Sequence, residues 1–252
     1  MKRKSPRRLL RRRLQLLLQQ IRSALPQLAD TAVPEALHAL RIALRQLRSL
    51  LRVLQALPQG ELLPALSLQL AAFTRASNDW RDREVRLQQL QLLAQQADSQ
   101  RFAAWRRHEA FAIGAGKLQL ARQQGELEPL LLAIEQACLP PLRNKSVVLR
   151  RQVRRALRDS RQRYREARRR WQQQPDNDRR VHKVRLLAKR LRYQVEVCQG
   201  LLAKRWQRRA ERARADQQQL GELRDRQLLL QSLRRDAVPL PAALRRQLGL
   251  AD

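Results

Sequence analysis

The sequence predicts an all-α protein: two pseudo-symmetric four-helix-type bundles forming one domain around a central basic cavity. Three observations lead there. Leu, Ala, Arg and Gln dominate, all good helix formers, and no stretch alternates with the period of a strand. Hydrophobic residues make up 43% of 252 residues, enough for a helical core. The third observation is an internal repeat, which follows from the elements themselves.

Residues 1–5, "MKRKS", read as a basic tail. An Arg-rich helix over 6–25 stops at Pro26, and Pro34 opens the next, over 34–57, which ends at Pro58–Gly60. Helices over 61–78, 80–97 and 99–113 follow, the last ended by Gly114–Gly116. The helix over 116–138 runs to Pro140–Pro141, and a second Arg-rich helix over 141–173 runs to Pro175. The remaining helices are expected over 177–199, 201–219, 221–236 and 239–249.

Two of these carry nearly the same text. Residues 38–52 read "HALRIALRQLRSLLR" and residues 182–192 read "HKVRLLAKRLR". A shift of 144 lays His182 on His38, Arg185 on Arg41, Lys189 on Arg45 and Arg192 on Arg48. At a shift of 143, "LRDRQL" (223–228) meets "WRDREV" (80–85), pairing Asp225 with Asp82. Each half also opens with an Arg-rich helix, so the domain divides near 6–140 and 141–252.

On a helical wheel, His38, Arg41, Arg45, Arg48 and Arg52 share an arc of roughly 80° beside a stripe of leucines. His182, Arg185, Lys189 and Arg192 repeat the arrangement, with Lys183 and Arg190 adjacent in sequence. The apolar stripe must face the bundle, so the cations lie at the edge of the core. Like charges four residues apart oppose helix formation by a few tenths of a kcal/mol, and both copies keep them. If the copies face each other, their stripes line one channel suited to a linear polyanion. Asp82 and Asp225 either orient a stripe arginine or favour a helix N-terminus.

Charge supports an anionic partner: 54 Lys plus Arg oppose 22 Asp plus Glu, a net charge of +32. Nucleic acid is the alternative ligand, yet aromatic stacking residues are only 4%. Cys138 and Cys198 belong to no metal-spaced cluster, so no metal or other cofactor is expected, and a reducing cytoplasm fits. No secretory signal and no membrane span are read. Phosphoryl-transfer signatures are missing, so an enzyme is not expected. Exposed leucines on 61–78 and 127–134 could support a dimer.

The two His-headed runs, with "RDREV" in the first half and "LGELRD" (220–225) in the second, resemble the CHAD family, the conserved-histidine α-helical domain. The resemblance covers the chain after its tail. It implies two bundles around a basic cavity and binding of inorganic polyphosphate, often at intracellular polyphosphate granules. The cavity cations it implies are His38, Arg41, Arg45, Arg48, His182, Arg185, Lys189 and Arg192. Two departures stand out: Gln46 faces Arg190 in the alignment of the halves, and "NDWRD" (78–82) lacks the glycine of "LGELRD". Both imply a weaker or differently shaped site in the first half. No Glu-x-Glu-x-Lys of a fused triphosphate-tunnel domain occurs.

Overall fold

The structure, a computed structural model, describes residues 5–30, 33, 35–93, 99–235 and 238–250, with the side chains of 93, 124, 222–228, 232 and 234 outside that description. The expected tail lies almost wholly outside the described residues; Ser5 is its last residue and precedes the first helix.

Among the described residues the chain is all helix and loop. In order these are α1 (Pro6–Ala24), a 3-10 turn (Pro26–Ala29), α2 (Ala36–Leu54), α3 (Leu63–Ala76), α4 (Asn78–Leu93), α5 (Gln100–Arg122) and α6 (Gln124–Leu142). Then come α7 (Ser146–Gln173), α8 (Asp178–Val197), a 3-10 turn (Gln199–Leu201), α9 (Lys204–Arg235) and α10 (Ala242–Leu248). Local chemistry sets several ends. Proline at the first position starts α1. Ser99 and Asn177 cap α5 and α8 by accepting from the backbone N–H of Phe102 and Arg180. Gly249, at φ 69°, ends α10 in the left-handed conformation.

Three expected breaks are absent, each for a physical reason. The helix α5 runs straight through Gly114–Gly116. Gly116 serves packing instead: a Cβ there would lie 2.2 Å from Cε2 of Trp80 on α4. Pro140 and Pro141 sit in the last turn of α6, and the chain turns only after Leu142. The boundary expected at Leu220 is also missing, since α9 is continuous from Lys204 to Arg235. The break lies in the first half, at Ser77 between α3 and α4. The glycine of "LGELRD" therefore marks no turn, whereas the text lacking it follows directly on one.

The principal core draws on both halves of the sequence. Leu37, Leu40, Leu44, Leu47, Leu51 and Leu54 of α2 are fully buried, in one cluster with Leu14 and Leu17 of α1, Leu131 and Ile134 of α6, Leu149 and Leu157 of α7, and Val184 and Leu191 of α8. Each such leucine contributes about 1.5–3 kcal/mol of burial. The helix α2 packs against α1, α3, α6, α7 and α8, and α8 in turn packs against α7 and α9. A second, smaller cluster joins Leu90 of α4, Phe102 of α5, Leu229 and Leu233 of α9, and Leu244 and Leu248 of α10. The space between the two clusters holds the site.

Candidate functional site

Burying the leucine stripe of α2 fixes where its cations go. They emerge along one flank of the core, where α8 presents its own flank. A cavity of about 1740 Å³ opens there, walled by α2, α4, α5, α8 and α9. Ten Arg or Lys side chains and four carboxylates line it among the described residues, an excess of six positive charges.

Of the expected residues, His38, Arg41, Arg45, Arg185, Lys189 and Arg192 meet in this wall, together with Asp82. His38 is exposed at the rim. Burial, then Arg81, holds its pKa below the usual histidine value, and Arg45 and Arg41 push the same way against Glu35. Arg41 is only 5% exposed. Burial and the neighbouring Arg45 bring its pKa down to about 10, while Asp82 favours its charge. Arg41 thus stays protonated at neutral pH, but under stress. The side chain of Asp225 lies outside the described residues.

Arg41 and Arg185 are both tied to another segment of the chain. The Arg41 guanidinium donates to Ser77 Oγ at 2.8 Å, and Ser77 Oγ donates to the Thr74 carbonyl at 2.8 Å. Arg185 donates to the carbonyls of Leu220 and Gly221, at 3.0 and 3.2 Å. Ser77 and Gly221 are 144 positions apart, as are Arg41 and Arg185. The same stripe position therefore anchors the same place in each half, once through a turn and once through a continuous helix. Arg192 is steadied differently, by Glu196 at 3.3 Å and by the face of Tyr193 at 4.5 Å. Arg45 has no hydrogen bond or ion pair to a carboxylate among the described residues, and it is half-buried in the wall.

The helix α4 contributes cations that the sequence reading left out. Arg81, Arg83 and Arg86 all line the cavity. Buried Glu109 of α5 accepts from Arg83 and Arg86, and its carboxyl is held below the usual range by the bond from Arg83 first. Glu84 takes Arg81 at 2.6 Å and Lys117 at 3.2 Å. Glu84 lies outside the lining and Glu109 is part of it, and both fix the direction of these arginines. The signal was present: "WRDREV" was matched across the halves, and its arginines repeat with its aspartate. Arg214 and Arg235 of α9 complete the lining, and His108 of α5 is part of the wall as well.

The other expected cations lie elsewhere. His182 and Lys183 are exposed at the start of α8, and neither lines the cavity. On α2 the lining stops at Gln46, so Arg48 and Arg52 fall beyond it. Arg190 lies about 100° around α8 from Lys189, close enough to Arg52 of α2 and Arg163 of α7 for their charges to oppose its own. The stripes therefore do not meet along their full length. Packing α8 against α2 divides the α2 stripe into a part inside the cavity and a part outside it. The Arg-rich openers coat the exterior: Arg7, Arg8, Arg11 and Arg12 of α1 and Arg151, Arg154, Arg155 and Arg158 of α7 are exposed.

Among the described residues no group of three or more His, Cys, Asp or Glu could hold a metal ion, and no helix is long and apolar enough to cross a membrane. Cys138 and Cys198 are buried, and burial pushes both thiols up to about 12, which keeps them protonated.

Comparison with known proteins follows the same outline. A family model of the CHAD domain matches residues 12–234. A crystal structure of the CHAD domain from the plant Ricinus communis superposes with a TM-score of 0.74, covering 97% of this chain and 84% of that one at 21% identity, a likeness of fold. No curated protein matches the chain.

Proposed function

We propose, from the premise that this chain belongs to the CHAD domain family, that its cavity binds inorganic polyphosphate without transforming it. One observation carries the reading: a cavity with six excess positive charges among the described residues, lined by Arg45, which has no carboxylate partner among them. Polyphosphate offers a narrow thread of equivalent oxyanions and no base edges. A wall of guanidinium and ammonium groups recognises that chemistry by charge-assisted hydrogen bonds. Arg45, Lys189 and Arg192 make the direct contacts, His38 adds a donor at the rim, and Arg81, Arg83 and Arg86 face them from α4. Arg41 and Arg185 hold the wall in register from its corners.

Binding is the whole activity in this reading, with no metal or other cofactor. Metal-assisted phosphoryl transfer needs carboxylates turned towards the ligand. Here, of the carboxylates in the lining, Glu109 is committed to Arg83 and Arg86, Glu196 to Gln46 and Arg192, and Asp82 supports the charge of Arg41. The cellular setting that fits is the cytoplasm, at polyphosphate granules. Non-specific nucleic-acid binding through the exposed arginines of α7 is the competing reading, and it makes a different prediction.

The test is a titration with long-chain polyphosphate, followed by competition with single-stranded RNA and duplex DNA. Polyphosphate displaces bound nucleic acid from the cavity reading's protein, and the double variant R45E/K189E loses polyphosphate. Undetectable polyphosphate binding at low salt, or full affinity in the variant, rules the reading out. Magnesium-dependent release of orthophosphate would replace it with an enzyme.

A further inference from the structure

The part of the α2 stripe that leaves the cavity meets other arginines on its far side. Arg48 and Arg52 continue along α2, where α7 and α8 both pack against it. Arg190 comes from α8, turned roughly 100° from Lys189 around the helix. Arg163 comes from α7. Arg48, Arg52 and Arg190 are half-buried, and the Nε atoms of Arg48 and Arg190 are buried without a hydrogen-bond partner. Arg52 and Arg163 press on the charge of Arg190, with Asp159 of α7 relieving it in part. Arg75 and Arg45 press on Arg48, and Arg48 presses on Arg52.

The internal repeat gives this cluster a built-in control. A shift of 144 lays Arg190 on Gln46 and Glu196 on Arg52. The first pair, Gln46 and Glu196, lies in the cavity and closes a hydrogen bond of 3.0 Å. The second pair, Arg190 and Arg52, lies outside it as two like charges. One junction of α2 and α8 is thus satisfied by the protein itself. The equivalent junction holds the like charges of Arg52 and Arg190, with the Nε atoms of Arg48 and Arg190 buried and unused among the described residues. Such an arrangement is destabilising unless an anion bridges it.

We propose that Arg48, Arg52, Arg163 and Arg190 form a second oxyanion site, outside the cavity, that takes a phosphoryl group. It deepens the polyphosphate reading and rests on it for one source of that group, a stretch of the chain that leaves the cavity. The other source is a separate small phosphorylated molecule. The donors are the same for both: forked N–H groups on phosphoryl oxygens.

Wild type, R52Q/R190Q and R45E/K189E separate these outcomes in thermal melts and calorimetry with inorganic tripolyphosphate and with long-chain polyphosphate. Without ligand, R52Q/R190Q melts higher than wild type, because a like-charge pair has gone. Tripolyphosphate fills two sites on wild type and one on either variant. If one long chain spans both sites, R52Q/R190Q binds it roughly tenfold more weakly, as expected for losing a charge-assisted contact. If long-chain affinity holds while the tripolyphosphate count falls, the site serves a separate small phosphorylated molecule. A lower melting point for R52Q/R190Q, or an unchanged tripolyphosphate count, overturns the proposal. Full long-chain affinity in R45E/K189E overturns the cavity reading instead and leaves the two-site count to be judged on R52Q/R190Q.

Discussion

The helices α2 and α8 carry similar His-headed runs in different surroundings. On α2 the first half of the stripe lines the cavity, with His38 at its rim. On α8 the lining comes from further along, at Arg185, Lys189, Arg192 and Glu196, and His182 stays outside. Arg41 is almost fully buried, whereas Arg185 is half-buried. Repeated side chains thus acquire separate duties once two amphipathic helices are packed against each other. The leucines decide which flank is free, and the crossing decides which cations meet.

The widest gap to test is between contact residues and anchors. Reversing Arg45 and Lys189 to Glu places repulsion where two charge-assisted contacts of roughly 1.5–3 kcal/mol each are expected. Long-chain polyphosphate affinity in low salt should fall by more than about a hundredfold, and the salt dependence should flatten. Comparable loss on replacing His182 and Lys183 instead would dissolve the distinction between the two helices.

Next come two glycines, each facing a side chain of its own half. Gly116→Ala drives a methyl into Trp80, and overpacking of this kind costs about 1–3 kcal/mol. Gly221→Ala meets the Arg185 guanidinium at an ordinary 3.9 Å inside a continuous helix, so it should be neutral or stabilising by up to about 1 kcal/mol. Chemical denaturation of both variants measures the contrast.

The anchors should differ in sign. The charge on Arg41 is opposed by burial, so Arg41→Met should raise stability by about 1 kcal/mol even after the bond to Ser77 is lost. Arg185→Met strips two backbone carbonyls of a donor and should lower stability. Both should weaken polyphosphate binding.

The smallest effect is that of pH. Free His38 titrates below the usual value, and a bound polyanion pushes it back up. Affinity should therefore rise as pH falls from neutrality, and level off once free His38 is itself protonated, below the ordinary histidine range. A change of a few fold is expected, and His38→Gln should remove most of it. An equally strong profile in the His38→Gln protein would assign the titration elsewhere.

Helix content, the repeat and the identity of the stripe were legible because periodicity and charge are local properties of the chain. Arg41, Arg45, Arg185, Lys189 and Arg192 could be placed beside the core from the wheel alone. What the chain could not disclose was the crossing of α2 and α8, which sends Arg48, Arg52 and Arg190 out of the cavity. Such a crossing depends on packing between residues far apart in sequence. The glycines misled for a related reason. Gly116 and Gly221 read as punctuation, but their neighbours are Trp80 and Arg185, brought close only by folding. The third wall was missed because Arg83 and Arg86 become directed donors only through buried Glu109 on a different helix.

The shared principal core carries one consequence for the birth of the molecule. On the ribosome, α2 leaves the tunnel long before α7 and α8 exist to cover it. Its leucines can meet α1, α3 and α6 first, but the part of the stripe that α7 and α8 cover stays wet and adhesive until those helices are made. Folding of this protein is for that reason a late event in synthesis, and the waiting segment is natural cargo for a chaperone.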